Sequence, residues 1–424
     1  MTNNHLSDLR FDSLELDESL RKGIKDTGFE FCTPIQASTL PIALANNDVA
    51  GQAQTGTGKT AAFLIGAFQR ILAQGTDATR DGQKQPRIFI LAPTRELAIQ
   101  IGKDASELCK FTGLTVALAF GGTDYEKQRR HIENGIDLLV GTPGRIIDYF
   151  KQGVFKLSEV EVVILDEADR MFDLGFIKDI RYLLRRLPDP DKRLNMLFSA
   201  TLSQRVLELA YEHMNEPQLI RIEPEKVTAD RVRQAIYFPS NEEKMPLLIG
   251  IIRELGEGRV MVFVNTKRAA ERIEAYLQAN DIHASAISGD VPQKKRMRLL
   301  EQFQKGELRV LIGTDVASRG LHIPEVQCVI NYDLPNDKED YVHRIGRTAR
   351  AGASGDAISF GCETYAMSLP DIESYIGHKI PVASLDPAFL PMLIKPKFKP
   401  RSHAGKPRSG GGGRSSRPPR RPRR

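Results

Sequence analysis

The segment Ala53–Thr60 (AQTGTGKT) has the residue types and spacing of a loop that cradles polyphosphate. Its glycines let the backbone curl so that successive N–H groups face phosphate oxygens. Lys59 can reach the outer phosphates, and the Thr60 hydroxyl suits a magnesium ion. Gln54, Thr55, Gly56, Thr57 and Gly58 complete the expected cradle, with Ala53 standing where the strict pattern has glycine. Further along, the apolar run VVIL delivers Asp166 and Glu167. Adjacent side chains on a strand point to opposite sides, so the two carboxylates suit different tasks. Asp166 would hold the magnesium through water, and Glu167 would orient and deprotonate an attacking water. Ahead of the loop lies Gly28–Gln36 (GFEFCTPIQ), where the Gln36 amide offers a donor beside an acceptor. That edge matches adenine N6 and N7, with Phe11 available to stack on the ring. Taken alone, Gln36 reads better as a helix-start residue and Phe11 as a core anchor. The expected ligands are ATP and Mg²⁺.

Such residues need rigid elements to carry them. Short apolar runs alternate with amphipathic stretches, the pattern of β and α units around parallel sheets. The strand-like runs of the first half are Arg87–Ala92, Leu114–Phe120, Ile136–Val140, Val162–Leu165 and Leu194–Phe198. The second half shows Arg259–Val264, Ala284–Ile287, Leu308–Ile312, Val326–Ile330 and Ala357–Phe360. Nearly all end at a polar or glycine-rich cluster. Ligands of open α/β sheets bind outside the carboxyl ends of strands, so these clusters are where chemistry is expected.

The chain has 424 residues, 60 basic and 54 acidic, for a formal net charge of +6. From Lys395 onward there are twelve basic residues and no acidic one, so the preceding body is net acidic at −6. The length suits two domains, each with its own core. The Pro, Gly, Ser and Arg composition after Lys395 predicts a disordered basic tail. With pI about 9.0, a uniformly basic nucleic-acid binder is the obvious inference, and this charge split excludes it. No apolar run approaches the ~20 residues of a membrane-spanning helix, and the N-terminus has no signal-peptide pattern. Cys32, Cys109, Cys328 and Cys362 have no paired spacing, which argues against a zinc site or a disulfide framework. A reducing, cytoplasmic compartment fits.

The order of motifs resembles the DEAD-box RNA helicases over about residues 11–385. The run Asp166-Glu167-Ala168-Asp169 spells the family's name. Also present are PTRELA (93–98), Gly121-Gly122, TPGR (142–145), SAT (199–201), SGDVPQKKR (288–296), TDVASRG (314–320) and HRIGRTARAG (343–352). The resemblance implies an α/β fold of two tandem RecA-like domains, parallel sheets flanked by helices. It divides the chain into a Q-motif segment (1–36), an ATP-binding domain (37–221), a linker (222–231), a second domain (232–385) and the tail (386–424). It also implies that Arg347 and Arg350 reach across the cleft to the γ-phosphate, with Lys59, Asp166 and Glu167 as the rest of the catalytic set. Gly320 joins the ATP site. Asp169, Ser199, Thr201 and His343 couple ATP to RNA. Single-stranded RNA is expected to run over Thr94, Arg95, Gly122, Thr142, Gly144 and Arg145, then over Gln293, Arg296, Thr314 and Arg319. Contacts of hydroxyl, arginine and backbone groups with phosphates carry no base information, so binding is expected to be independent of sequence. The implied activity is RNA-stimulated ATP hydrolysis coupled to local unwinding of short duplexes. An ATP-gated RNA clamp that does not unwind is the alternative.

Two positions depart from the family pattern. His322 stands where Asp usually contacts the ATP ribose, and Ala349 replaces a frequent Gly. Four longer strings narrow the resemblance: GLHIP (320–324), GFIKDIRYLLRRLP (175–188), PSNEEKM (239–245) and YIGHKIPV (375–382). They are similar to the family member of the bacterial mRNA-degrading assembly, the RNA degradosome. That similarity implies docking onto the endoribonuclease RNase E.

Overall fold

The computed structural model describes residues 6–53, 56–75, 85–222, 232–288, 291–315, 326–348, 355–386 and 389–396. The expectations for Gln54, Thr55, the linker from 223, Arg319, Gly320, His322, Ala349, Arg350 and the tail from 397 lie outside the described residues.

Two all-parallel sheets organise the chain. The first takes β1 (Val49–Gln52), β2 (Ile88–Leu91), β3 (Val116–Ala119), β4 (Leu138–Gly141), β5 (Val162–Leu165), β6 (Leu194–Ser199) and β7 (Gln218–Arg221), in the order β3-β4-β2-β5-β6-β1-β7. The second takes β8 (Val232–Tyr237), β9 (Val260–Phe263), β10 (Ala284–Ile287), β11 (Val310–Gly313), β12 (Cys328–Asn331) and β13 (Gly355–Phe360), in the order β10-β11-β9-β12-β13-β8. The central strands are apolar because helices cover both faces. Every residue of β2, β4, β5, β9, β11 and β12 is buried, as a parallel sheet requires. Register then aligns the functional ends: Leu91 lies beside Leu165, and Gln52 beside Ser199. The phosphate loop, PTRELA, Gly121-Gly122, TPGR, Asp166-Glu167 and Ser199 therefore emerge along one edge of the first sheet.

Two domain boundaries move. The helix Pro34–Leu44 runs through the expected break at residue 36, and Phe11, Leu20, Ile24 and Cys32 belong to the same core as the phosphate-loop helix. The N-terminal segment is part of the first domain. At the other end, the tail does not start at 386. Phe389, Leu390 and Leu393 pack on the core of the second domain, and the Asn280 side-chain amide donates to the Ile394 carbonyl at 2.9 Å and accepts from its N–H at 3.0 Å. The apolar side chains of this segment have a core to join, and they outweigh the proline and lysine around them.

Candidate nucleotide and RNA sites

The helix Lys59–Gln74 starts at the phosphate loop, capped by Gly58 at φ +91°. Only glycine fits there, because a Cβ would lie 2.6 Å from the Gln36 amide nitrogen and the left-handed backbone penalises any other residue. Lys59 is 6% exposed. Its Nζ donates to the Ala53 carbonyl at 2.9 Å and lies 3.9 Å from Asp166 Oδ1. Gln36 is buried, its Oε1 accepting from Thr33 N–H at 2.8 Å and its Nε2 donating to the Gly58 carbonyl at 3.1 Å. The amide thus ties the loop to the segment before it, while Gln36 still borders the cleft.

That cleft measures about 670 Å³ and takes in Gly56, Gly58, Lys59, Thr60, Asp166, Glu167 and Arg347. Phe11 is not on its wall. The ring is buried and stacks on Phe29 with centroids 5.9 Å apart, and it is the half-exposed Phe29, with Phe31, that faces the cleft. The expected stacking residue is corrected accordingly: Phe11 supports, Phe29 presents. Sequence reasoning also passed over Gln100, Asp104 and Glu107, which line the same cleft from the helix Arg95–Leu108. Their spacing puts them on one helical face, a signal that was available. Burial pushes the Asp104 carboxyl up to about 6, against the hydrogen bond from Gln100.

The two carboxylates do not diverge because of strand alternation. β5 ends at Leu165, and Glu167 turns the chain with φ +51° and ψ +53° as the N-cap of the helix Ala168–Asp173. A non-glycine residue in the left-handed region is uncommon and carries strain. The turn lets both carboxyls border the nucleotide cleft, with Glu167 alone also facing a second cavity behind it. Burial holds both above the ordinary carboxyl range. The Asp166 charge pushes Glu167 further up, and Lys59 opposes the shift in both.

Three of the coupling residues meet. Asp169 N–H donates to Ser199 Oγ at 3.2 Å, and the Thr201 N–H and hydroxyl donate to Asp169 Oδ2 at 3.2 and 3.4 Å. The second cavity, about 790 Å³, joins Asp169 and Thr201 to His343 and Arg347 of the second domain. Arg347 is 5% exposed and borders both cavities. Its neighbour Arg344, not singled out from sequence, is the largest fully buried side chain among the described residues, at 1% exposure. It grips Asp315 with two bonds of 2.7 and 2.6 Å, and also donates to the Asp333 carbonyl and Asn265 Oδ1.

A groove of about 440 Å³ collects Thr94, Arg95, Gly121, Thr142, Gly144, Arg145 and Arg296. Arg145 sits over the rings of Tyr125 and Tyr149 at 4.7 and 5.3 Å, which fixes its guanidinium. Three expectations change. Gly122 is exposed outside the lining, and Gly121 takes its place beside the Arg95 guanidinium. Thr314 follows β11 but does not line the groove. Arg296 lines it, yet its Nε lies 2.9 Å from Glu96 Oε1, with side-chain exposures of 12% and 7%. Burial at the domain interface requires that charge to be compensated, so Arg296 clasps the other domain rather than standing open to a phosphate. Gln293 begins the helix Gln293–Gln304, and its side chain lies outside the described residues.

Among the described residues no group of His, Cys, Asp and Glu forms a metal cluster, and no helix is long and apolar enough to cross a membrane. All four cysteines are buried and unbridged.

Two tandem parallel-sheet domains, a lysine loop facing buried carboxylates and an arginine supplied from the second domain define a two-domain, nucleotide-hydrolysing helicase core. A family model described as DEAD/DEAH box helicase matches residues 33–209, and one described as helicase conserved C-terminal domain matches 243–352. The chain belongs to the DEAD-box RNA helicases, ATP-hydrolysing enzymes. It is 57% identical over 396 residues to the ATP-dependent RNA helicase RhlB of Pasteurella multocida, spanning 93% of each chain. To RhlB of Shewanella halifaxensis it is 54% identical over 418 residues, 98% of this chain and 96% of that one. Among solved structures, S. cerevisiae Dbp5 bound to RNA and ADP BeF3 superposes with a TM-score of 0.76 at 32% identity, covering 88% of this chain and 95% of that one. Mss116p bound to ssRNA and AMP-PNP gives 0.78 at 28%, covering 92% and 82%.

Proposed function

We propose that this chain is an ATP-dependent RNA helicase that grips single-stranded RNA independently of sequence and opens short duplexes locally. The carrying observation is Arg347, a buried side chain of the second domain bordering the cleft that Lys59, Thr60 and Glu167 line in the first. An arginine placed there can stabilise the charge of a polyphosphate lying between the domains.

The phosphates of ATP lie over Gly56–Thr60, with Gln54 and Thr55 completing the loop. Lys59 trades its contact with Asp166 for phosphate oxygens. Gln36 and Phe29 meet the base, and Gly320 closes on the nucleotide from the second domain. The Thr60 hydroxyl and Asp166 carboxylate, both at the cleft, are hard oxygen donors suited to Mg²⁺, which neutralises phosphate charge when bound. Glu167, with basicity raised by burial, accepts the proton of the attacking water. Arg347 and Arg350 stabilise the charge developing on the γ-phosphoryl group. RNA phosphates run over Thr94, Arg95, Thr142, Gly144 and Arg145, and Gln293 and Arg319 contact them from the second domain. Asp169, Ser199, Thr201 and His343 link that grip to the catalytic turn. The Glu96–Arg296 ion pair holds the closed arrangement, which admits one strand in a shape that an A-form duplex cannot take.

The likeness to RhlB supports a role in mRNA degradation in the cytoplasm, with the second domain docking onto RNase E in the RNA degradosome. The test is ATPase activity with and without RNA, then with the RNase E scaffold segment added, alongside strand release from a short duplex. RNA-stimulated turnover and strand release are expected, with further stimulation by the scaffold. Turnover without strand release would leave an ATP-gated clamp, and equal stimulation by DNA would indicate a DNA motor.

A further inference from the structure

The string GFIKDIRYLLRRLP has no part in the nucleotide or groove chemistry, yet its helix starts at the groove. Phe176 lines the groove and is the N-cap of the helix Ile177–Leu184. Beside it the helix Pro143–Lys151 contributes Arg145 and Asp148 to the same groove. Both helices lead away from it. At 1.5 Å per residue, Arg186 lies about 15 Å beyond Phe176 and Lys151 about 9 Å beyond Arg145. Lys151, Lys178, Arg185 and Arg186 are all exposed. Arg181 is committed to Glu212 at 2.8 Å and is not counted.

Tyr182 draws the two helices together. The Arg186 guanidinium lies 3.5 Å from its ring centroid and the Lys151 ammonium 5.5 Å. Arg186 also donates to the Tyr182 carbonyl at 2.7 Å. With a guanidinium over the ring, this is no base-stacking platform. It is a pre-ordered row of cations continuous with the groove, on a body that is net acidic.

We propose that this ridge binds phosphates of RNA extending beyond the gripped segment, lengthening the single-strand footprint. The proposal rests on the groove being the RNA site. Continuity with the groove favours RNA over an acidic protein surface as the partner.

The test uses the full chain carrying Lys151→Gln, Arg185→Gln and Arg186→Gln, with single-stranded RNAs of about 10 and about 25 nucleotides, the first within and the second beyond the roughly 4–16 nucleotides of a single-strand site. Each lost phosphate contact removes about 0.7 from the slope of log affinity against log salt. The triple variant should therefore bind the long RNA more weakly, with a slope shallower by about 2, and the short RNA as wild type does. An unchanged thermal midpoint establishes that it is folded. Wild-type binding of both lengths would overturn the proposal and leave an acidic protein surface as the ridge's partner. Equal loss on both lengths would overturn it too, placing these charges within the gripped segment. Arg145→Ala tests the groove separately. If it leaves short-RNA binding intact, the groove reading fails, while the difference between lengths still reports on the ridge.

Discussion

Each domain buries a lysine near the carboxyl ends of its strands, and the two are satisfied very differently. In the second domain Lys244, 4% exposed, forms a 2.7 Å ion pair with Asp333, touches Cys362 Sγ at 3.4 Å and lies over the Tyr332 ring at 4.2 Å. Asp333 Oδ2 accepts from the Asn265 backbone, and Asn265 in turn accepts from Arg344. In the first domain Lys59 is equally buried but has one carbonyl at 2.9 Å and a carboxylate only at 3.9 Å. Burying a charge costs several kcal/mol unless it is closely paired. The second domain meets that cost with a close ion pair, and the first only with a carbonyl and a distant carboxylate. One architecture thus yields a tightly paired lysine in the domain that carries Arg347 and a loosely paired one in the phosphate loop.

The largest test of this asymmetry is Arg347→Ala. An arginine completing a phosphoryl-transfer site is worth roughly 10³–10⁵ in rate, so kcat at saturating RNA should fall by that order while ATP still binds. Glu167→Gln comes next. Losing a positioned base costs about 10²–10⁴-fold, with ATP and RNA binding retained and the closed complex trapped. Near-normal turnover of either variant would remove the catalytic assignment. The lysines sharpen the contrast through stability. Lys244→Met strands Asp333 in the core and should cost roughly 3–5 kcal/mol in denaturant unfolding. Lys59→Met removes one good hydrogen bond, about 1 kcal/mol, but abolishes ATP turnover. Equal destabilisation by the two would show that the cradle lysine is structural after all.

Much of this plan was legible where burial leaves a periodic mark. The runs at Val162–Leu165 and Ala284–Ile287 match β5 and β10 residue for residue, and the motifs sit at strand ends because every strand is parallel. Three strands fall outside the ten apolar runs: the short β1 ahead of the phosphate loop, and β7 and β8, both at sheet edges. With one side unpaired, β7 and β8 tolerate residues such as Arg221 and Arg233 and show no apolar run. The site errors have another cause. Glu96 and Arg296 meet across two domains, and Arg344 gathers Asn265, Asp315 and Asp333 from the ends of three strands. No local pattern encodes such long-range pairing. Phe11 and Phe29 are both aromatic, and only packing decides which ring faces the cleft.

The smallest expected effect is a displacement in pH, and it links the two domains. Glu167 works as a base only when ionised, so kcat is lost as pH falls through its folded pKa. Burial and the neighbouring Asp166 raise that pKa, while Lys59 and then Arg347 pull it down. The acidic limb of the rate profile should therefore stand above the ordinary glutamate range, about 4.3. Removing the Arg347 charge should move the limb to higher pH, whereas Arg347→Lys, keeping a cation near the same place, should move it less. The residual activity of Arg347→Ala suffices for this measurement, since only the midpoint of the limb is read. A limb at the same pH in wild type, Arg347→Lys and Arg347→Ala would mean that Arg347 exerts no field on Glu167 during turnover, and that the buried arginine of the second domain is not part of the closed catalytic site.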